Sequence, residues 1–570
     1  MAASFWEIRD QAAERWQDLA AGETPWIRVG TALCGQAAGA EQVADVIQQE
    51  LEKQGLKARV SRVGCLGLCF AEPMVDVLLP GRARVVYGNV GLDQVPELVA
   101  SHIGRGQPVA EMVVGCLGDE IGDDLPDLQQ HPMKVREQRI ALRNAGHIDP
   151  LDIYQYIARG GYEALNRALT EMTPAEALEE VNTSGLRGRG GAAFPAGTKW
   201  RFLAGSNAPD KYILCNCEEG DPGAFNDKGI LESDPGTVVE GIILAGYATG
   251  ANHGYIFIRH GHDGPIDRAR AAVAQAYELG LLGEDILGTD FTFDLEVALT
   301  GDSYVSGEET ALMEAIEGSR AMPRYRPPFP AQVGVFGKPT NINNVKTMAY
   351  VPEIIARGGE WYAGIGHEQS TGTAILCLSG TLNYTGMVEL PMGINLTEVL
   401  QDVAGGVPGG KQLSFIQTGG PLGGVLSAAA TDLVLDFDIF RAAGAILGSG
   451  GIIAADEDTC VVDLTRVLIA FCQYESCGKC FPCRMGMSHM LEVLERICRL
   501  EGTPDDLALM RNIGENMQAG SLCGHGQLGF NPVASALRYF PEQFEAHIVD
   551  KRCPTGRCQV PHFSPRLSRR

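Results

Sequence analysis

The sequence lacks the long apolar runs that a membrane-spanning helix requires. No stretch reaches about eighteen consecutive apolar residues. The N-terminal segment MAASFWEIRDQAAERWQDLA carries charges throughout and has no apolar core of the kind found in secretory signals. These two absences predict a cytoplasmic protein that does not insert into a membrane.

Positive charge is also scarce. The chain has 46 Lys and Arg residues against 71 Asp and Glu residues, a formal net charge of −25. Binding to a nucleic-acid backbone depends on clustered Lys and Arg, so no nucleic-acid partner is expected. An anionic ligand would have to be received by a local positive loop or by backbone N–H groups.

Cysteine, by contrast, is abundant, with 16 residues in the chain. Disulfides are rare in reducing compartments, so metal ligation explains this number better than cross-linking does. Not every cysteine needs such a role. Cys116, Cys215, Cys377, Cys472 and Cys498 lie in apolar surroundings and are interpreted as core residues.

At 570 residues the chain is too long for one ordinary core, which predicts a multidomain α/β protein. An Asp-, Pro- and Gly-rich stretch at 118–134 is interpreted as a linker. Strand-like runs, amphipathic helices and glycine turns predict five units: a small α/β unit at 26–115, a layered α/β unit at 135–355, a β-rich unit at 370–436, a helical bundle at 438–550, and a tail with a cysteine pair at 551–570.

The segment ESCGKCFPC places Cys477, Cys480 and Cys483 at intervals of three residues. Three such cysteines plus a remote one are the usual ligand set of a [4Fe–4S] cluster. Cys523, in the glycine-flanked turn AGSLCGHGQLG, is the best remote candidate. Structural zinc is the alternative, although zinc sites usually pair two Cys-x2-Cys hairpins.

A second group of motifs lies in the 135–355 unit. The segment SGLRGRGGAAFPAGTKW (184–200) is glycine-rich and basic, which favours a phosphate-binding loop over an ordinary turn. It is followed by the acidic turn NCEEGDPGAF, by GEETALMEAIEGSRAMPRYRPPFP, and by the amide-rich GKPTNINNVKT. Four such loops before a cluster unit indicate one ligand site.

Together these segments closely resemble the NADH-binding flavoprotein subunit of respiratory complex I and its relatives in NAD-reducing hydrogenases, electron-bifurcating hydrogenases and NAD-linked formate dehydrogenases. The resemblance covers about 135–550. It implies a Rossmann-like FMN/NADH domain, a β-grasp (soluble-ligand-binding) domain at 370–436, and a C-terminal helical bundle that carries the iron–sulfur cluster. It also implies hydride transfer between NADH and FMN, followed by single-electron transfer to the [4Fe–4S] cluster.

The resemblance further implies the residues of the nucleotide site. The FMN-binding residues it implies are Gly188, Arg189, Gly190, Gly191, Lys199, Asn216, Glu218, Asn343, Asn344 and Thr347. NADH would stack between Phe194, Phe202 and Phe329, with the catalytic Asp221 and Glu309 near nicotinamide and ribose. Arg326 stands where most members have Lys, and Asp221 where complex I members have Glu. Charge is preserved, and the changes bear on the choice between NADH and NADPH.

The segment GCLGLCFAEPMVDV resembles the second half of the thioredoxin-like [2Fe–2S] ferredoxin signature, which the soluble relatives carry as a fused domain. Here only Cys34, Cys65 and Cys69 are present, whereas the cluster needs four ligands. Asp45, water or another subunit would have to fill the gap. The alternative is a degenerate domain kept for docking.

The C-terminal segment HIVDKRCPTGRC contributes His547, Cys553 and Cys558, which Cys460 could complete as a zinc site. Unligated surface cysteines are the alternative.

The leading hypothesis is therefore an NADH-oxidising or NAD⁺-reducing flavoprotein subunit of a soluble multi-subunit iron–sulfur oxidoreductase. The expected partners are a small [2Fe–2S] thioredoxin-like subunit and a larger iron–sulfur or catalytic subunit, such as a hydrogenase or formate dehydrogenase. Two alternatives stay open: an electron-bifurcating module that couples NADH and ferredoxin, and a non-catalytic electron conduit or scaffold.

Overall fold

The computed structural model describes residues 4–118 and 125–558. These residues form a mixed α/β fold with several sheets and a helical C-terminal part. Residues 119–124 of the predicted linker and residues 559–570 of the tail lie outside the described parts.

The N-terminal unit is a five-stranded sheet in the order β2-β1-β3-β4-β5, with β1 parallel to β2 and the other pairs antiparallel. The first helix of the chain, α1 (Phe5–Ala20), buries its apolar residues in the core of the second unit. The helices and strands of the N-terminal unit are β1 (Trp26–Gly30), α2 (Leu33–Ala37), α3 (Ala40–Gln54), β2 (Arg59–Val63), β3 (Val75–Leu78), β4 (Arg84–Tyr87), α4 (Val95–Leu98) and β5 (Val113–Leu117). Helix α3 ends at Gly55, which adopts a left-handed φ of +66°.

The second unit is built on four parallel strands in the order β8-β7-β6-β9. The strands are β6 (Tyr212–Cys217), β7 (His253–Arg259), β8 (Asp294–Thr300) and β9 (Thr340–Asn344). The helices are α5 (Pro132–Val135), α6 (Ile153–Ala158), α7 (Glu163–Glu171), α8 (Pro174–Thr183), α9 (Ala196–Ala204), α10 (Asn226–Ser233), α11 (Pro235–Thr249), α12 (Asp263–Glu278), α13 (Glu309–Ile316), α14 (Val345–Arg357) and α15 (Gly359–Ala363). Nearly every residue of α11 is buried, so this helix lies in the centre of the core.

The third unit is a mixed five-stranded sheet in the order β13-β12-β16-β14-β15, preceded by a short hairpin. Its elements are β10 (Gly366–His367), β11 (Ser370–Thr371), β12 (Thr373–Gly380), β13 (Gly386–Pro391), α16 (Leu396–Glu398), β14 (Leu413–Thr418), β15 (Val425–Ser427), α17 (Phe437–Ala442) and β16 (Gly451–Asp456). The predicted β-rich unit ends at residue 436. The sheet extends to 456, because the apolar run of β16 inserts between β12 and β14.

The C-terminal unit is helical, as the 3.6-residue period of its sequence predicts. The helices are α18 (Val461–Tyr474), α19 (Phe481–Cys498), α20 (Asp505–Gly520), α21 (Gly524–Gln527), α22 (Asn531–Tyr539) and α23 (Pro541–Ile548). Across the described residues, no helix combines the length and the apolar character needed to cross a membrane.

A buried carboxylate joins the second and third units. Glu389, on β13, accepts hydrogen bonds from the backbone N–H groups of Ile140 (2.9 Å), Ala141 (3.2 Å) and Leu142 (2.9 Å). The Thr373 hydroxyl donates to it as well, at 2.5 Å. Burial raises the pKa of Glu389, and these donors oppose the rise. The side chain thus pairs three backbone donors of a loop that would otherwise be buried without partners.

We expect Glu389→Ala to lower the free energy of unfolding by about 3 kcal/mol, because each buried donor left without an acceptor costs about 1–3 kcal/mol and some rearrangement is possible. Denaturant unfolding followed by circular dichroism measures this. Glu398→Ala, at an exposed ion pair with Arg136, is the control and should cost less than about 1 kcal/mol. Equal losses of unfolding free energy in the two variants would contradict the role proposed for Glu389.

Candidate functional site

The predicted nucleotide-binding residues meet at one edge of the four-stranded parallel sheet. Strands β6 and β9 are parallel neighbours, with Cys215 opposite Asn343 and Asn216 opposite Asn344. Their carboxyl ends therefore lie side by side. In the strand order β8-β7-β6-β9, the chain runs from β6 to β7 and β8 on one side of β6 and then crosses to β9 on the other side. Such a switch point leaves a crevice beyond the strand ends where ligands bind in open α/β sheets.

The glycine-rich loop approaches this edge closely. A Cβ atom added at Gly190 would lie 3.0 Å from the Cβ of Asn344, and Gly191 has a φ of +112°. Larger residues would be crowded at the first position and strained at the second. Within the loop, the Gly188 N–H donates to the Phe194 carbonyl at 2.8 Å. The loop therefore presents backbone at the place where a ligand would be received.

The two basic residues predicted for this loop have different surroundings. The Arg189 guanidinium is buried and donates to the carbonyls of Thr371 (2.7 Å) and Thr373 (3.1 Å), so it fixes the loop to the third unit. The Lys199 ammonium, on α9, donates to the Ile342 carbonyl at 2.6 Å and lies 3.5 Å from the Glu309 carboxylate. Lys199 is partly exposed. Of the two side chains, Lys199 is placed to meet an anionic ligand.

Glu309 begins α13 and lies between two cations. Its second oxygen accepts from Arg326 at 2.5 Å, opposite Lys199. Arg326 thus forms an ion pair with Glu309. The three side chains form a partly exposed charged group at the rim of the crevice.

Two further acidic residues lie deeper in the acidic turn. Burial raises the pKa of Glu218 to about 8 against the opposing effect of Arg259, which donates to it at 2.8 Å. Burial also raises the pKa of Asp221, whose Oδ2 accepts from the Ser449 hydroxyl at 3.1 Å. Tyr304 also favours the ionised carboxylate and so lowers the pKa of Asp221 against the effect of burial.

The amide-rich segment is held by a buried charge network that the sequence analysis did not identify. The Lys346 ammonium donates to Asp227 Oδ1 at 2.7 Å and to Asn226 Oδ1 at 2.8 Å. Asn344 caps α14 and donates to Asp227 Oδ2 at 2.6 Å. The segment GKPTNINNVKT contains Lys346, but its partners lie more than a hundred residues away, which hides the pair from local motifs.

The remaining predicted binding residues contact one another or the loop. Asn216 donates to the Gly307 carbonyl at 2.8 Å, and Asn343 donates to Asn341 at 2.8 Å. The Thr347 hydroxyl accepts from the Arg189 N–H at 2.9 Å. These contacts fix the strand ends and the loop relative to each other.

Three large aromatic residues predicted to stack with the nucleotide are exposed. Phe194, Phe202 and Phe329 are 47%, 59% and 54% exposed, respectively. The rings of Phe194 and Phe202 lie 6.5 Å apart, centre to centre. Exposed aromatic faces of this kind offer planar surfaces to a flat ligand. Together with the open backbone loop, they fit a flavin and a nicotinamide nucleotide.

The cysteines predicted to hold the [4Fe–4S] cluster line one small cavity: Cys477, Cys480, Cys483 and Cys523. Cys477 precedes α19, Cys480 caps it, and Cys523 caps α21. Burial, together with the Cys480, Cys523 and Cys477 thiols, raises the pKa of Cys483 to about 12. Four thiols that line one cavity fit a cubane cluster.

Tyr304 and His525 connect the two sites, and the sequence analysis missed both. The Tyr304 N–H donates to Glu475 at 2.9 Å, and its ring packs edge-on against Phe471 and His525. Burial raises the pKa of Tyr304 strongly, with Asp221 adding to the rise. His525 follows Cys523 by two residues. A continuous packed contact therefore leads from the acidic turn to the cluster ligands.

A separate group of ligands lies at the C-terminus. The ligand atoms of Cys460, His547, Cys553 and Cys558 all lie within 4.8 Å of one another. Zinc–sulfur bonds of about 2.3 Å place tetrahedral sulfur ligands roughly 3.8 Å apart. The Cys460 and Cys558 sulfurs are 3.5 Å apart. His547 Nδ1 contacts the Gln543 carbonyl at 2.7 Å, which leaves Nε2 of the same ring facing the thiols. The four residues fit a zinc ion.

The N-terminal cysteines Cys34, Cys65 and Cys69 also lie within 4.8 Å of one another. Asp45, one group suggested to complete their ligand set, does not lie with them. It is on α3, mostly exposed, and accepts from Arg62 at 2.9 Å. The five cysteines interpreted as core residues are buried: Cys116, Cys215, Cys377, Cys472 and Cys498.

Comparisons with known proteins agree with this arrangement. Residues 181–353 match the Nuo51 FMN-binding domain, and residues 463–547 match the NADH-ubiquinone oxidoreductase-F iron–sulfur binding region. The chain is 46% identical to the NADP-reducing hydrogenase subunit HndC of Solidesulfovibrio fructosivorans, over 74% of this chain and 86% of that one. It is 42% identical to a subunit of the NADH-quinone oxidoreductase of Rhizobium meliloti, over 73% of this chain and 99% of that one.

Similarity to solved structures extends over almost the whole chain. A chain in the crystal structure of NAD⁺-reducing [NiFe]-hydrogenase in the H2-reduced state aligns with a TM-score of 0.65 and 26% identity. The alignment covers 95% of this chain and 87% of that chain.

We expect Cys523→Ala to lower the iron content of the purified protein from about four atoms per chain to less than half of that, since three thiolates leave one iron without a protein ligand. Iron analysis and the visible absorbance of the cluster measure this. Cys116→Ala, at a buried thiol of the N-terminal unit, is the control and should keep its iron. Unchanged iron in Cys523→Ala would contradict the ligand assignment.

Proposed function

The chain belongs to the family of FMN- and iron–sulfur-binding, NAD(P)H-linked flavoprotein subunits of hydrogenases and complex I-type oxidoreductases. We propose that it is the NADH-oxidising or NAD⁺-reducing subunit of a soluble multi-subunit complex. The resemblance stated from the motifs is thereby confirmed at the level of the family. The observation that carries the proposal is the packed contact through Tyr304 and His525, which joins the nucleotide crevice to the four-cysteine cavity.

When bound, FMN exchanges a hydride with the nicotinamide nucleotide and passes electrons singly to a [4Fe–4S] cluster. The residues of this chain align and enclose these groups. We assign the phosphate of FMN to the glycine loop and Lys199, and the polar edge of its ring to the ends of β6 and β9. Phe194, Phe202 and Phe329 would hold the planar part of NADH, with Asp221 and Glu309 facing its polar groups.

We propose family names for the four units. The first and second are a thioredoxin-like domain and a Rossmann-like domain, supported by the sheet orders and, for the second, by the position of the crevice. The third is a β-grasp domain that continues to β16, and the fourth is the helical cluster domain. Residues 460, 547, 553 and 558 would hold a structural zinc ion, which fastens the end of the described chain to the start of α18.

Partner subunits are inferred from the position of the cluster. Cys477 and Cys480 are partly exposed, and Tyr474 and Phe481 beside them are 81% and 68% exposed. Such apolar exposure next to a redox centre suits a docked partner. We propose a small [2Fe–2S] thioredoxin-like subunit and a larger catalytic iron–sulfur subunit. The sixteen cysteines, all within the described residues, form no disulfide, which fits a reducing compartment such as the cytoplasm.

We expect Glu309→Gln to slow NADH-dependent reduction of an artificial acceptor by roughly ten-fold or more while FMN content stays unchanged, because Glu309 lies beside Lys199 and Arg326 at the rim of the crevice. Steady-state kinetics with ferricyanide, together with flavin released on denaturation, separates the two quantities. Glu296→Gln, on β8 away from the crevice, is the control. Full activity in Glu309→Gln would contradict the role assigned to it, and a chain that binds no FMN would contradict the proposed function.

The raised pKa of Glu218 predicts a pH dependence. The group is neutral well below pH 8 and becomes negative as the pH rises through about 8. A negatively charged carboxylate there disfavours the reduction of a nearby electron carrier. The NADH-dependent reduction rate should therefore fall as the pH rises through this range. Glu218→Gln should flatten the fall, whereas Asp302→Asn, at the exposed partner of Arg259, should keep it. The same decline in Glu218→Gln would contradict the assignment.

A further inference from the structure

The three N-terminal cysteines lie at a place that the flavin and [4Fe–4S] sites do not use. Cys34 is on α2, directly after β1. Cys65 follows β2, and Cys69 begins a single helical turn. The Cys65 and Cys69 sulfurs are 4.0 Å apart, and all three sulfurs lie within 4.8 Å of one another.

This ligand set does not fit a two-iron cluster. Such a cluster takes two ligands on each iron, and the ligands of different irons point away from each other. Here all three sulfurs lie within 4.8 Å of one another. The spacing is that of ligands of one ion, because tetrahedral sulfur ligands of zinc lie roughly 3.8 Å apart.

A buried carboxylate lies beside the Cys34 thiol. Glu72 Oε1 lies 3.6 Å from the Cys34 sulfur, and Glu72 is only 8% exposed. Bonds of about 2.3 Å to sulfur and 2.1 Å to oxygen separate two tetrahedral ligands by roughly 3.6 Å. The other oxygen of Glu72 accepts from the Met74 N–H at 2.8 Å, which orients the carboxylate as a second contact usually orients a metal ligand.

Two glycines make room for this carboxylate. A Cβ atom added at Gly30, the last residue of β1, would lie 3.4 Å from Glu72 Oε1. One added at Gly35 would lie 3.2 Å from Oε2 and only 2.1 Å from the Gly30 carbonyl. Any longer side chain at either position would meet the carboxylate or the strand end. The space beside the thiols is therefore shaped for Glu72.

We propose that Cys34, Cys65, Cys69 and Glu72 bind a single zinc-class divalent ion, in place of a two-iron cluster. Zinc accepts three thiolates and one carboxylate in tetrahedral geometry. Glu72 also lines an open surface groove, together with Gln36 and Pro73, which gives an ion a path to the site.

The ion would act on structure, since zinc has no redox chemistry of its own. The ligand loops dock on the rest of the chain. The Gly67 carbonyl accepts from the Met387 N–H at 2.9 Å, and the Leu33 N–H donates to Glu232 at 2.9 Å. An ion that joins Cys34 to Cys65 and Cys69 fixes both contacts at once. It holds the N-terminal unit to the second and third units and makes no electron relay there.

Zinc and iron analysis of the full-length protein tests the proposal. Cys34→Ser should lose about one zinc per chain with iron unchanged. Asp45→Asn, on the exposed face of α3, is the matched control and should lose neither metal. In a His547→Ala background, which lacks a ligand of the C-terminal site, the loss caused by Cys34→Ser should persist. Loss of about two irons per chain would show a two-iron cluster, and unchanged zinc would show an empty site. Either result overturns the proposal.

Two further measurements do not depend on the folding of a cysteine variant. Glu72→Gln keeps the size of the side chain and should release its zinc to a chelator at least ten-fold more readily than the wild type. In the wild type, a chelator should raise the alkylation of Cys34 and Cys69, read by mass spectrometry, several-fold. Equal zinc retention in Glu72→Gln would exclude Glu72 as a ligand, and unchanged alkylation would exclude a bound ion.

Discussion

The architecture of the nucleotide site depends on one buried ion pair, between the Lys346 ammonium and the Asp227 carboxylate at 2.7 Å. Both side chains are almost completely buried, so removal of either partner would leave an isolated charge in the core. Asp227 also accepts from Asn344, and Lys346 also donates to Asn226. Asn226 in turn donates to the carbonyls of Ile375 and Ser449. The pair thereby ties the end of β9 and the start of α10 to the third unit.

This constraint explains why the site is assembled from several units. The glycine loop is fixed to the third unit through Arg189, and Ser449, just before β16, reaches Asp221. Glu475, just beyond α18 in the cluster unit, reaches the Tyr304 N–H. Each unit therefore supplies a group that positions a neighbour's residue. An electron carrier gains from such rigidity, because alignment and a fixed electrostatic environment are what the protein contributes to cofactor chemistry.

Much of the fold follows from local sequence patterns. The apolar runs of β6, β7 and β12 and the helical periods of α18 to α20 identify these elements, and the Cys-x2-Cys-x2-Cys spacing identifies three cluster ligands. β16 was missed as a strand of the third unit, since its place between β12 and β14 is set by a parallel pairing with β12 across seventy residues of chain. Glu72, Asp227 and Tyr304 were missed for a similar reason. Their roles arise from burial and from partners distant in sequence, and no local motif marks them.

In the proposed function, nicotinamide-derived electrons cross from the crevice to the four-cysteine cavity within this one chain. An anaerobic titration of the purified protein with NADH, followed by visible absorbance and electron paramagnetic resonance, tests this transfer. We expect flavin absorbance to bleach and the signal of a reduced [4Fe–4S] cluster to appear during the same titration. Bleaching of the flavin with no cluster signal, or no response to NADH at all, would contradict it.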